Sequence, residues 1–531
     1  MSKLLKLALG ASVMSLAACG GGGGGNSAPA TVAPPPPPPP PPVSEYVAGE
    51  FKASSTYEDM CNADDEKFYL RSFTNETYLW YDEVEDRDPT VASESVQDYF
   101  DQLKTFETTA SGKPKDEFHF YYTTEEYERL ISGETFGYGF QFTLLRGAPT
   151  ATEGREIRVT YVIPGTQAAE AGVLRGAEII TIDDEDVAFG DNTTVLNDGL
   201  FPDTDGESHT LEFRNPGATD TITVELTAGT FTNPDILASS VFDNADVKTA
   251  YINLDTFGTL TAEKSLFDEL TEIAAEDPSK LVLDLRYNGG GFVAVACQLA
   301  YAIAGSDDTT NKICTQNLTN DKLPDSDPTP FYTETLGIAS SGPGVIAAGQ
   351  AYPQLDVDEV TVLTTSSSCS ASELVVNALA GIDADISLVG GTTCGKPFGF
   401  VAEDNCGYTY FTVQFQATNN KGFGDYADGF VPTEGSVSNQ TQIKGCEVDD
   451  DYTQELGDTA EGMLAAALQY QTDASCPAVP TTAQAKTASR VTLEEISGGI
   501  IDTRPGALGQ EARILLPRLR DAGLIADGTA R

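Results

Sequence analysis

The hydrophobic pattern changes period along the chain, and each change marks a different kind of structure. From about Tyr57 to Gly133, apolar and aromatic residues recur at helical spacing within polar text, around Phe68, Tyr69, Leu70 and Phe73 and again around Tyr78, Leu79, Trp80 and Tyr81. This predicts a small helical domain over 55–133, with the sole tryptophan, Trp80, in its core. From Glu134 to about Thr232 the period becomes that of strands and turns, with strands expected at 157–163, 178–182 and 221–226 and a short helix at 168–171. That stretch reads as a β-rich domain over 134–232. From about Val241 to Tyr470 strands alternate with helices. Residues 249–254, 281–285 and 360–364 read as strands; 262–275, 292–304 and the run after Ser372 read as helices. This rhythm predicts an α/β sandwich over 233–474, so the chain as a whole reads as a multidomain α/β protein.

Length and charge sharpen that picture. At 531 residues the chain is too long for one hydrophobic core, and 40% hydrophobic with 21% charged residues is a globular composition. A formal charge of −50, from 81 acidic against 31 basic residues, opposes binding to nucleic acid phosphates. Acidic residues alone do not make a calcium loop: the run Phe201, Pro202, Asp203, Thr204, Asp205, Gly206 supplies only fragments of the required spacing. No metal and no cofactor are expected, and the oligomeric state is not legible.

The ends of the chain read differently from its middle. Lys3 and Lys6 precede a short apolar run ending Leu16, Ala17, Ala18, Cys19, a signal-peptide pattern over 1–18 that is too short to span a membrane as a helix. The Leu-Ala-Ala-Cys sequence resembles the lipobox of bacterial lipoproteins, which implies a lipidated Cys19 and a membrane anchor. Residues 19–54 read as a linker, with glycines after Cys19 and prolines from 34 to 42 forming an extended spacer of about 3.1 Å per residue. Gly20 fits sorting to the outer membrane of a two-membrane bacterium, on either its periplasmic or its surface face. Residues 475–531 read as a linker and a tail carrying Arg504, Arg513, Arg518 and Arg520.

Apart from Cys19, eight cysteines remain, and an exported chain meets oxidising conditions. Eight cysteines allow 105 pairings. Short loops favour Cys297 with Cys314, Cys394 with Cys406, and Cys446 with Cys476, leaving Cys61 with Cys369. No CxxC pair occurs, which removes support for zinc or thioredoxin-type chemistry.

Two segments join polar residues to a strand end and a helix start, where α/β folds build sites. One runs from Asp284 to Gly291 through Arg286, Asn288, Gly289 and Gly290; the other holds Ser370, Ala371, Ser372 and Glu373, followed by Gly395 and Lys396. Serine oxygens at a helix N-terminus sit among unpaired N–H groups and a dipole that favour negative charge, as a tetrahedral oxyanion requires. The competing reading makes Ser370 or Ser372 a simple N-cap with Glu373 in the first turn. A Ser-His-Asp triad in the core is excluded, because the only histidines are His119 and His209.

Together these segments resemble the carboxyl-terminal processing peptidases, or tail-specific proteases, whose hallmarks are Asp-Leu-Arg-x-Asn-x-Gly-Gly, Ser-Ala-Ser-Glu and a later Gly-Lys. The resemblance implies Ser370 as nucleophile and Lys396, 26 positions on, as general base. It places the oxyanion hole on backbone N–H groups of Ala371 and the Gly290/Gly291 turn. One departure is Phe400, where many members carry glutamine; Gln414 and Gln416 are the candidate substitutes for orienting the lysine. Within 134–232, the loop Gly137, Tyr138, Gly139, Phe140 and the run from Val162 to Ile180 resemble a PDZ domain. That implies an exposed sheet edge and a glycine loop that capture the C-terminal tail of a polypeptide. The resulting expectation is an envelope serine endopeptidase acting on exported polypeptides; the alternative is a catalytically silent binding lipoprotein on the same scaffold.

Overall fold

A computed structural model describes residues 46–146, 154–324 and 326–478. The expected signal peptide, the expected lipidation site Cys19, most of the expected linker and nearly all of the expected C-terminal tail lie outside the described residues.

The core is a seven-stranded sheet in the order Ile236–Asn244, Val247–Leu254, Lys280–Asp284, Glu359–Thr364, Ile386–Gly390, Gln442–Glu447, Val431–Thr433. Only the first pair is antiparallel; from Val247–Leu254 onward each neighbouring pair runs parallel. Parallel strands need covering on both faces, which is why Leu281, Val282 and Leu283 are all apolar and all buried. Ala250, Ile252, Leu283 and Val362 face the helices Ala262–Ala274, Val293–Thr309 and Ala371–Gly381. Their alternates Tyr251, Val282, Leu363 and Val389 face the helix Gly462–Asp473 on the other side. The architecture is therefore a multidomain α/β fold with a three-layer core.

The β-rich unit holds a sheet ordered Phe140–Arg146, Glu156–Val162, Glu178–Ile182, Ser208–Arg214, Ile222–Thr227, with helices Gln167–Glu170 and Thr193–Leu200. Phe140–Arg146 pairs on one side only, leaving its other edge unpaired among the described residues. This unit is bolted to the core through Arg175, whose buried guanidinium donates to Tyr287 Oη at 2.6 Å, Asp450 Oδ1 at 2.8 Å and Asp451 O at 3.1 Å. Arg286, wholly buried behind it, shares Asp450 and makes a two-pronged bond to Glu461 at 2.7 and 3.0 Å.

The N-terminal segment contains the helices Ala63–Thr77, Val96–Asp101 and Thr124–Ile131, but also a strand the helical reading missed. Phe120–Thr123 pairs antiparallel with Tyr408–Phe411, so this segment extends a sheet of the core. Trp80 is half-buried rather than central: it stands edge-on to Phe398 at 4.8 Å.

Among the described residues four disulfides form: Cys61–Cys406, Cys297–Cys314, Cys369–Cys394 and Cys446–Cys476. Two match the expected pairs; Cys394 with Cys406 and Cys61 with Cys369 are corrected. The reason is topological. Glu359–Thr364 and Ile386–Gly390 are adjacent parallel strands, so the segments after them emerge side by side and bring the Cα atoms of Cys369 and Cys394 to 5.2 Å. Cys406 sits in the turn between the strands Glu403–Asn405 and Tyr408–Phe411, facing the start of the first helix, with Cα atoms 5.3 Å apart across 345 positions.

Candidate active site

The site is assembled at the C-terminal ends of the parallel strands. The strand Lys280–Asp284 runs into a turn organised by Asn288, which is wholly buried. Asn288 N–H donates to Leu285 O, its Nδ2 donates to Leu254 O at 3.0 Å, and its Oδ1 accepts Gly290 N–H at 2.9 Å. Its own carbonyl accepts two bonds from the neighbouring loop, Cys369 N–H at 3.1 Å and Ser372 Oγ at 2.8 Å. One asparagine thus holds the glycine turn and docks the serine loop against it. A small residue is needed there: a Cβ on Gly290 would lie 2.7 Å from Ser370 Cβ and 3.0 Å from Ala371 N.

Ser370 is the residue before the helix Ala371–Gly381, with φ 57° and ψ −110°. A non-glycine residue with positive φ at a helix start is strained, and such strain persists only where the surroundings impose it. Here the imposing group is Glu373, which is fully buried and accepts four donors. Its Oε2 takes Ser370 N–H at 3.1 Å and Lys396 N–H at 2.7 Å; its Oε1 takes Gly395 N–H at 2.8 Å and Thr393 Oγ1 at 2.5 Å. The backbones of Ser370 and Lys396 therefore hang on a single carboxylate oxygen. Burial pushes the Glu373 carboxyl above its ordinary range, opposed by those same donors. The Cys369–Cys394 disulfide, one residue before Ser370 and two before Lys396, ties the same two loops covalently.

The predicted residues take up these places. Ser370 rather than Ser372 is the strained residue, while Ser372 Oγ is spent on Asn288 O. Gly290 N–H is committed to Asn288, which narrows the expected oxyanion donors to Ala371 and Gly291; among the described residues neither of these N–H groups has a hydrogen-bond acceptor. Gln414 bonds Val401 backbone and Gln416 donates to Gly424 O at 2.8 Å, so neither orients Lys396. Lys396 Nζ instead lies 4.3 Å from the centre of the Phe400 ring and 4.8 Å from that of Phe118. The residue keeps partial exposure, yet protein packs densely around it, and this desolvation pushes its ammonium down to about 8 against the opposing pull of Asp116 and Glu373. Among the described residues no hydrogen bond joins Nζ to Ser370 Oγ, a gap common before substrate binds. Glu373 was visible only as a residue of the first helical turn, and Asp116 and Phe118 carried no signal linking them to Lys396.

In the β-rich unit, Tyr138 and Phe140 bury their side chains in its core. The loop of Gly137, Tyr138, Gly139 and Phe140 thus offers backbone rather than side chains. Gly139 is required there, since a Cβ would meet Thr166 Cβ at 2.2 Å.

The geometry thus sets a strained serine at the head of a buried helix, against a glycine turn, on a parallel α/β sheet. Residues 248–402 match the model of Peptidase family S41. The chain is 27% identical over 190 residues to a protein of Tetradesmus obliquus described as a chloroplastic C-terminal processing peptidase, a match covering 34% of this chain and 39% of that relative's length. In structure it is similar to a candidate S41 protease from Bacteroides fragilis NCTC 9343, with TM-score 0.59 at 20% identity over 77% of this chain and 97% of the other.

Proposed function

We propose that the chain is a serine endopeptidase of the cell envelope, anchored through a lipidated Cys19, that cleaves polypeptides selected by their C-terminal tails. The observation that carries this reading is the shared Glu373 oxygen, which holds the backbones of Ser370 and Lys396 together while burial favours the neutral lysine. With the ammonium at about 8, roughly a tenth of the lysine is neutral at pH 7, enough to act as a general base. In this mechanism Lys396 Nζ takes the Ser370 proton as Oγ attacks the scissile carbonyl. The oxyanion is received by Ala371 and Gly291 N–H groups at the positive end of the helix Ala371–Gly381. Collapse expels the amine, which takes the proton from Lys396, and water then releases the acyl group from Ser370. The unpaired edge of Phe140–Arg146, beside the loop of Gly137 and Gly139, is where an extended tail would add as a strand, its carboxylate on backbone N–H groups.

The test is cleavage of an unfolded protein by the full chain, with Ser370→Ala and Lys396→Ala alongside. Cleavage by the parent and its loss in both variants supports the reading. Inertness of all three favours a binding protein on the same scaffold.

A further inference from the structure

A lysine ammonium carries three donors and normally finds oxygen acceptors. Among the described residues Lys396 Nζ has none: it makes neither a hydrogen bond nor an ion pair, and it lies over the faces of Phe400 and Phe118. Both rings are themselves fixed. Phe118 is buried, with its N–H on Asp116 Oδ1 at 2.8 Å and its ring against Phe398. Phe400 stands edge-on to Phe120 at 5.6 Å and to Phe411 at 5.1 Å. The walls therefore come from two distant stretches, one following Lys396 and one from the N-terminal segment, which the Phe120–Thr123 pairing holds in place.

We propose that Phe118 and Phe400 form an aromatic box that positions Lys396 and sets its affinity for a proton, doing with ring faces what a hydrogen-bonding side chain would otherwise do. The inference rests on the Ser370/Lys396 reading and names two positioning residues for it. The box acts in two opposed ways: ring faces attract the cation, while ring bodies exclude water and favour the neutral amine. The charged groups facing Nζ are Asp116 and Glu373. Both are engaged elsewhere, Asp116 by Tyr78 Oη and Phe118 N–H and Glu373 by its four donors, so neither clamps the ammonium. Desolvation is the largest influence on Lys396, which agrees with water exclusion by the box outweighing its attraction for the cation.

Phe400→Gln would place an amide oxygen and water beside Nζ and stabilise the ammonium. The acid limb of kcat/KM for cleavage of an unfolded protein should then move up by about one pH unit, about a tenfold loss below the limb. Phe400→Tyr, which restores a ring face, should return the limb to its original position. Both are measured on the full chain, with thermal unfolding to verify that each variant is folded and with the pH dependence of Ser370 labelling by a fluorophosphonate probe as a second readout. If Phe400→Gln does not fold, Phe118→Leu serves instead: it keeps the burial and loses a ring face, and the limb should move down. An unmoved limb in a folded variant that still labels at Ser370 overturns the box and leaves the peptidase reading standing. A parent chain that neither cleaves nor labels overturns both.

Discussion

Replacing Gly290 by alanine should disable the site without dismantling the protein. The added Cβ would lie 2.7 Å from Ser370 Cβ, 2.9 Å from Cys369 O and 3.0 Å from Ala371 N. Carbon atoms pack comfortably at about 3.5–4 Å, so the serine turn must retreat by roughly 0.8 Å or more. A misplacement near 1 Å between reacting groups costs about a hundredfold in rate. Alanine at φ +110° adds a backbone cost of about 1–3 kcal/mol. Gly217→Ala separates the two effects, because Gly217 also has positive φ, +71°, with no atom within 4 Å of its would-be Cβ. Peptide cleavage rates and urea unfolding of the full chain measure both. Gly290→Ala should lose about a hundredfold in kcat/KM, whereas Gly217→Ala should lose stability at an unchanged rate. Equal rates in the two variants would refute the close packing of the glycine turn on Ser370.

Other consequences follow from the same contacts. The double variant Cys369→Ser/Cys394→Ser should lose most activity with about 3–4 kcal/mol of stability, while Cys446→Ser/Cys476→Ser, closing a loop of similar length on the sheet face packed by Gly462–Asp473, should lose stability alone; paired cleavage and unfolding assays check this. His119 is buried between Phe100 O and Thr412 Oγ1, and burial pushes its imidazole down to about 4. Between pH 6.5 and 4 the unfolded chain takes a proton that the folded one refuses, so stability should fall by about 3 kcal/mol as pH drops through that window. His119→Gln should flatten that part of the urea-unfolding pH profile relative to the parent. Arg175→Ala leaves Asp450 with one cationic partner fewer in a buried network and should cost about 3–5 kcal/mol, read as proteolytic nicking between the β-rich unit and the core.

Much of the core was legible because its strands are buried on both faces and so read as short, mainly apolar runs alternating with helices: 249–254, 281–285 and 360–364 were expected, and the structure has Val247–Leu254, Lys280–Asp284 and Glu359–Thr364. The helix expected at 262–275 appears as Ala262–Ala274. What local pattern could not supply was long-range pairing. Phe120–Thr123 lies in text with recurrent helical spacing, and its partner Tyr408–Phe411 is almost 300 positions away, although its aromatic run suits a strand. The cysteine pairs failed for the same reason: parallel neighbours place Cys369 beside Cys394, and loop length alone does not register that. At the site, Ser370, Lys396 and the glycine turn stood in motifs. The box around the lysine did not, because Phe118 reaches it only through folding, and Phe400 read as a missing glutamine rather than as a wall.

The most direct test of the central claim is mass-spectrometric mapping of fluorophosphonate adducts on the full chain at pH 9, above the Lys396 ammonium's shifted range of about 8. The account predicts one adduct, on Ser370, formed in the parent and abolished in Lys396→Ala. Labelling of Ser370 that is as fast in Lys396→Ala as in the parent, or an adduct on another serine in its place, would contradict it.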